Sequence, residues 1–369
     1  MRILILNWRD LKNPKAGGAE LLTHEISRRW VLQDHTVTVF CARFNDSRQE
    51  EDIDGVLYVR FGRWFTVHLW AAFYYFFRFR TTTDIIIDEV HWFPFFSILY
   101  APGKTVLLVC EVANQLFFRL FPYTLALIGR SIEKIYFYLY RHAPVLAISQ
   151  STIDALVREG FSSKNITLIP MGLTRPEKIA HATKKAHLTL IVVGRLHVLK
   201  GIKDAIDALI HILKHDPSAK LWIVGSNGQG YQDELEVYFH KKGLRKQVVF
   251  WGHVSQEKKY TLLSQAHILL MPSMQEGWGL VVAEAAYVGT PSIGYKTAGL
   301  KDVILPDKTG ILVPQNRFDL LASESLKLWM DKPLYRRFQV SAKKYASSMH
   351  WEDTARVSLN VLQRMYEKN

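Results

Sequence analysis

The sequence predicts an α/β protein with two doubly wound domains of mostly parallel sheet. Three observations carry this. Short, β-branched, nearly continuous apolar runs recur along the chain, as parallel strands buried on both faces require. Stretches with apolar residues at helical spacing separate them, and strand–helix alternation makes an α/β sheet. The 369 residues suffice for two cores, and a polar, basic stretch at 174–186 containing Pro176 divides them.

In the first half the expected strands are 3–6, 37–40, 85–87, 106–109, 145–148 and 166–169. After the first comes Gly17-Gly18-Ala19-Glu20, then Ala19, Leu22, Ile26 and Trp30 at helical spacing. Paired glycines at a helix start let backbone amides approach an anion, although the pair could equally be a turn. Asp52-Ile53-Asp54 has the spacing of a metal-binding pair, but Asp54-Gly55 reads as a turn, and no metal is expected there. The run 64–77 is nearly uncharged and apolar, interrupted by His68. It is too short for a membrane span and is expected to be a buried or interfacial helix leading to the strand at 85.

Asp88-Glu89-Val90-His91 follows the strand 85–87, at the strand end where ligands bind in open α/β sheets. His91 is therefore a candidate for substrate contact or proton transfer; packing of its loop is the other reading. The strand 106–109 ends in Cys110-Glu111. Ser149 to Thr152 supply the cap of a helix over 153–159.

In the second half the expected strands are 190–193, 221–225, 248–252, 268–271, 291–293 and 311–313. Arg195 and Lys200 follow the first of these and can clamp a diphosphate, Arg as a fork and Lys as a point charge. Gly225, Gly228 and Gly230 do not have the order of a dinucleotide fingerprint, which argues against a nicotinamide enzyme. The tail 351–369 is an amphipathic helix with Val357, Val361, Leu362 and Met365 on one face.

The most informative stretch follows the strand 268–271. Glu276 lies in a loop with Gly277 and Gly279, and Leu280 and Val281 open a buried helix that carries Glu284. The amides of such a helix start favour a phosphate. A carboxylate repels phosphate, so Glu276 and Glu284 suit hydroxyls or a developing positive charge.

Glu276 and Glu284, the glycines between them and the following Gly289-Thr290-Pro291 resemble the donor-site signature of retaining glycosyltransferases of family four. The resemblance covers most of the chain and is strongest over 190–313. It implies a GT-B fold, in which two Rossmann-like domains face each other across a cleft. The expected divisions are an acceptor-side domain at 1–173, a nucleotide-sugar domain at 187–345, and a helix at 346–369 packing back on the first domain. By the same resemblance Glu276 meets the donor sugar and Glu284 the ribose. Arg195, Lys200 and the amides near Gly279, Leu280 and Val281 hold the diphosphate, and Gly17 and Gly18 face it from the other domain. Asp88 to His91 and residues 298–303 also resemble family segments. Many members carry a histidine where this chain has Cys110, and Asn is more usual than Met171. The implied activity is transfer of a hexose from a nucleotide sugar to a glycan or lipid-linked acceptor, with retention, in polysaccharide or glycolipid synthesis and without cofactor or metal. A nucleotide-sugar epimerase of the same fold and a catalytically weak nucleotide-sugar-binding partner remain the alternatives.

The formal net charge of +13 favours anionic partners: nucleotide diphosphates, lipid phosphates or an anionic membrane surface. No nucleic-acid-binding motif stands out. Two cysteines, Cys41 and Cys110, make neither a disulfide framework nor a zinc site and suit a reducing compartment. The apolar run at the N-terminus is too short for a signal peptide. A cytoplasmic protein, peripheral at the inner face of the membrane, is the expectation.

Overall fold

The computed structural model describes residues 1–176, 183–227 and 230–368. Residues 177–182 of the expected linker, Gly228, Gln229 and the final Asn369 lie outside the described residues. The chain divides into two compact units, Met1–Gly172 with His350–Asn369, and Leu173–Met349.

The first unit contains β1 (Arg2–Leu6), β2 (Thr36–Cys41), β3 (Glu50–Ile53), β4 (Val56–Arg60), β5 (Ile85–Val90), β6 (Thr105–Val109), β7 (Val145–Ala147) and β8 (Ile166–Leu168). They form one sheet in the order β3-β4-β2-β1-β5-β6-β7-β8, parallel except for the β3–β4 pair. Its helices are α1 (Gly18–Val31), α2 (Val67–Tyr74), α3 (Ser97–Tyr100), α4 (Leu116–Leu120), α5 (Tyr123–Tyr140) and α6 (Gln150–Arg158). The central strands are buried on both faces, so their sequences are apolar without alternation apart from the buried Asp88 and Glu89 of β5. Ser149 caps α6, its hydroxyl accepting from the Thr152 amide at 3.1 Å.

Three features depart from the sequence reading. The β3–β4 hairpin was not expected. Glu50-Glu51-Asp52 carries no apolar signal, because β3 is a charged edge strand. The run 64–77 gives the expected interfacial helix from Val67, and the departure is only that it continues as a π-helix over Tyr75–Phe79. Val67, Ala71, Tyr75 and Phe79 turn inward, while Leu69 and Phe77 are 75% and 78% exposed. Helix α5 is the third: Ala126, Tyr136, Phe137 and Tyr140 pack inward, and much of its outer side is apolar as well.

The register shows which helices share a face. Leu6 is paired with Phe40 and Asp88, Asp88 with Leu107, and Leu107 with Val145. Laterally paired residues of a sheet point to the same side. The core cluster under α2, with Leu6 and Phe40, and the cluster under α5, with Leu107 and Val145, therefore lie on one face of the sheet.

The second unit contains β9 (Thr189–Val193), β10 (Lys220–Val224), β11 (Val248–Gly252), β12 (Ile268–Met271), β13 (Ser292–Tyr295) and β14 (Gly310–Val313). The order is β11-β10-β9-β12-β13-β14, all parallel. Helices α7 (Ile202–Leu213), α8 (Tyr231–Lys241), α9 (Gln256–Gln265), α10 (Leu280–Tyr287), α11 (Leu300–Val303), α12 (Phe318–Met330) and α13 (Lys332–Ser347) accompany them. The last helix, α14 (Trp351–Tyr366), belongs to the first unit. It packs on α1: the Trp30 indole donates to the Ala355 carbonyl at 2.9 Å and Arg29 pairs with Glu352 at 2.8 Å.

No helix among the described residues is long and apolar enough to cross a membrane.

Candidate functional site

In the second unit, β9 and β12 are parallel neighbours, so the loops at their C-terminal ends emerge side by side. The loop after β9 carries Arg195 and a 3₁₀ turn at Val198–Lys200, just before α7. The loop after β12 carries Glu276 and leads into α10. The Met274 amide joins the two, donating to the Leu199 carbonyl at 2.9 Å. Side chains brace the second loop: Gln315 donates to the Met274 carbonyl at 3.0 Å and Thr297 to the Ser273 carbonyl at 3.3 Å. Gly299, at φ 77°, lies so close that a Cβ on it would stand 2.3 Å from the Glu276 carbonyl oxygen. That contact admits no side chain.

The bracing brings Lys200 Nζ to 2.5 Å from Glu276 Oε1. The pair is partly buried, at 30% and 13% side-chain exposure. Arg195 is exposed near it. His197 is pushed below the usual histidine range by burial and by the charges of Arg195 and Lys200, so this strand end is a field of positive charge. Gly279 opens α10 in the left-handed region, at φ 99°, a conformation a side chain would strain. The first-turn amides of Leu280 and Val281 have no partner within the helix, and both residues are half-buried. Glu284, 6% exposed, pairs with Lys259 of α9 at 2.6 Å. Lys259 gave no signal in the sequence, where it is one of two adjacent lysines on a polar helix.

In the first unit, β1 and β5 are parallel neighbours, and β5 runs two residues beyond the end of β1, to Val90. Glu89, fully buried on β5, accepts from Asn7 Nδ2 at 2.6 Å and from the Thr23 hydroxyl at 2.7 Å. Its other oxygen lies 2.9 Å from His91 Nε2. Trp8 stacks on His91 with ring centroids 5.2 Å apart, and the Arg9 guanidinium lies 4.1 Å over the Trp8 ring. His91 is thus oriented from two sides and 13% exposed. Glu89 is the polar centre of this group, a role its place in the sequence did not reveal.

Gly17 precedes α1 and Gly18 begins it. The Gly17 amide donates to Glu20 Oε2 at 2.7 Å, and Glu20 pairs with Arg9 at 3.1 Å. The helix start therefore already holds a carboxylate, and an anion arriving there would meet Glu20. Cys110 is buried at the end of β6, its carbonyl accepting from the Thr152 hydroxyl at 3.2 Å. Burial, with Glu89, Glu20 and Glu111 nearby, pushes its thiol well up, so it stays protonated and is no substitute for a histidine donor–acceptor pair. Asp54 lies in the β3–β4 turn 2.9 Å from His24 Nε2, and Asp52 accepts from the Gly55 amide at 3.0 Å. Among the described residues no group of three or more His, Cys, Asp or Glu could hold a metal ion.

Comparison with known proteins places these features. Residues 174–345 match the family model "Glycosyl transferases group 1". Residues 16–174 match "Glycosyltransferase Family 4". The two matches run from 16 to 345 without a gap. The glycogen synthase of Mycobacterium tuberculosis is 27% identical over 239 residues, which is 63% of this chain and 57% of that protein. Among solved structures, sucrose-phosphate synthase from Thermosynechococcus elongatus aligns over 100% of both chains with a TM-score of 0.82 at 17% identity. The Anabaena protein HepE in complex with UDP-glucose aligns over 100% of both chains with a TM-score of 0.72 at 18% identity. At such identities the structural likeness shows the fold alone, two Rossmann-like units of the GT-B class. With both family models matched in sequence order and the fold in agreement, the chain belongs to the group 1 glycosyl transferases of glycosyltransferase family 4.

Proposed function

We propose that the protein moves a hexose from a nucleotide-diphosphate sugar to a glycan or lipid-linked acceptor with retention at the anomeric carbon. The observation that carries this is the Lys200–Glu276 pair beside the glycine start of α10, with Glu284 one turn inside that helix. A lysine ammonium has three donors, and Glu276 occupies one. The others are free to meet a diphosphate oxygen held by the amides of Leu280 and Val281 and by Arg195. Glu284 then takes the ribose hydroxyls, its charge balanced by Lys259 rather than left beside the phosphates.

In the reaction the bond between the anomeric carbon and the diphosphate oxygen breaks, and the nucleoside diphosphate leaves with the electron pair. The acceptor hydroxyl oxygen bonds to the same face of that carbon, and its proton goes to the departing phosphate oxygen. Lys200, Arg195 and the helix start stabilise the growing negative charge. Glu276 steadies the cationic sugar. In this reading those groups do the work a metal would otherwise do. His91, held by Glu89 and Trp8, is the residue we assign to substrate contact in the first unit.

The UDP-glucose bound to the Anabaena structure supports trying that donor first. The test is thermal unfolding with UDP, GDP, ADP and their sugars, followed by transfer assays with the donor that binds. Saturation near a hundred times Kd adds about 2.7 kcal/mol. A shift with one base, lost in Glu284→Ala, followed by transfer, supports the proposal. No shift with any nucleotide overturns it, and a shift without transfer to any acceptor supports a binding partner instead.

A further inference from the structure

Helix α5 carries a second apolar stripe on its outer side. Leu125, Ile128, Ile132, Ile135 and Leu139 follow steps of three and four residues and so share one face. All five are exposed, Leu125 and Ile128 at 55% and Ile135 at 61%. A folded protein does not present such a stripe to water without a covering partner. The α2 and π-helix segment presents Trp64, Leu69, Phe73, Phe76 and Phe77 in the same way. Both helices cover the same face of the first unit's sheet, as the register shows, so their outer apolar residues look out from the same side of the unit.

The charges on the two segments that carry these residues have one sign, and among the described residues the one exposed carboxylate paired to them from another element is Glu50 of β3, on Arg78. From 61 to 83 the chain carries Arg63, Arg78 and Arg80 and no acidic residue. From 112 to 153 the one acidic residue is Glu133, which is fully buried. It accepts from the Ala113 amide and pairs with Arg130. Arg119 and Lys134 are exposed in that stretch. A second copy of this chain would bring like charges together across the stripe, whereas an anionic lipid surface complements them. Aromatic and branched apolar residues flanked by arginine and lysine are the composition of a helix lying in a bilayer interface.

We infer that the outer layer formed by α5 and the α2–π-helix segment docks the first unit onto an anionic phospholipid bilayer, with the α5 stripe immersed among the lipid chains. This deepens the lipid-linked part of the proposed acceptor class. Its test measures vesicle binding with no sugar transferred, so either proposal can fail alone.

The experiment is flotation of the full chain with vesicles of phosphatidylcholine, alone or mixed with phosphatidylglycerol. The protein should float with the mixed vesicles only and be released by high salt, which screens exposed charges. The triple variant Leu125→Gln, Ile128→Gln, Ile135→Gln should lower the bound-to-free ratio by roughly tenfold or more. Because these side chains are exposed, its unfolding midpoint should not fall. Phe76→Ser with Phe77→Ser should weaken binding from the other helix, and Lys134→Glu should weaken binding to mixed vesicles. Wild-type protein that stays in the buffer with both vesicle types overturns the inference, as does equal binding by the triple variant. A concentration-dependent dimer that the triple variant abolishes, without vesicle binding, would also overturn it by assigning the stripe to self-association.

Discussion

Lys200 and Glu276 are 76 residues apart in the chain, yet their charged atoms lie 2.5 Å apart at the ends of two neighbouring parallel strands. The pair is partly buried, and solvent at its open side screens its Coulomb energy, so it contributes on the order of 1 kcal/mol to stability. Under the proposed function the contact serves a negatively charged ligand more than the fold. Lys200→Ala is therefore expected to shift the urea midpoint by no more than about 1 kcal/mol. It should also reduce kcat by roughly 10²–10³, the usual effect of losing one donor to a developing oxyanion. Glu276→Gln should be equally stable and similarly slow. Because the two act as a unit, the double variant should lose much less than the product of the single losses. Multiplying losses would show that the residues work independently.

Glu284 tests nucleotide binding separately from chemistry. It is buried against Lys259, so Glu284→Ala leaves a lysine without its partner and removes the acceptor proposed for the ribose. The expectation is loss of the nucleotide-induced thermal shift, with unfolding of the free protein lowered by about 1–3 kcal/mol. Lys259→Ala should lower stability in the same range while keeping part of the shift, since Glu284 remains. If Glu284→Ala keeps the full shift, Glu284 is structural and the ribose lies elsewhere.

How far these relationships could be read beforehand depends on what each residue's neighbours are. Strands such as β1, β9 and β12 are buried on both faces, so local composition declares them. Strand β3 has the sequence Glu50-Glu51-Asp52-Ile53 and pairs on one side only, so its identity comes from its partner β4. Helix α5 hid for the opposite reason: apolar both inward and outward, it shows no polar face from which a period can be counted. Glu276 and Lys200 stood out as motif residues, but their contact follows from the adjacency of β9 and β12, which no local pattern encodes. Lys259 and Glu20 reach their partners through helix placement alone.

The group around Glu89 separates structure from function within the first unit. Glu89 satisfies Asn7, Thr23 and His91 without access to water. Glu89→Ala leaves those polar groups buried without their acceptor and should lower stability by about 2–4 kcal/mol, read from urea midpoints. His91→Ala removes a partly exposed ring and should cost less than Glu89→Ala. If His91 contacts the sugar, its loss should appear in kcat far more than in stability. Equal stability losses with unchanged turnover would make His91 a packing residue of its loop.

The buried thiols should be chemically silent. Burial pushes both Cys41 and Cys110 well up, and Asp10 beside Cys41 adds to that effect. The thiolate is the reactive form. Native protein at neutral pH should therefore titrate no thiols with an aromatic disulfide reagent, and two after unfolding, the number in the chain. Rapid labelling of Cys110 in the native state would mean that the end of β6 opens to solvent.

His267 should give the second unit a pH-dependent stability. It is buried between Trp329 and Tyr335, with Lys184, Lys332 and His187 nearby, and burial with those charges lowers it to about 4. The Thr189 amide donates to its Nδ1 at 3.0 Å, a bond that only the neutral ring can accept. In the unfolded chain it titrates near its ordinary value of about 6.5. Between these values the unfolded state binds a proton that the native state refuses, so stability rises with pH across the window and is lost as pH falls through it. The gap corresponds to about 3 kcal/mol at most. The carboxylates also titrate at the acid end, so the informative quantity is the difference from His267→Asn, whose carboxamide oxygen can still accept from Thr189. Urea midpoints should converge toward pH 4, where the wild type loses its advantage, and diverge toward pH 6.5. Parallel midpoints across that range would show that His267 takes up its proton without disturbing the native packing.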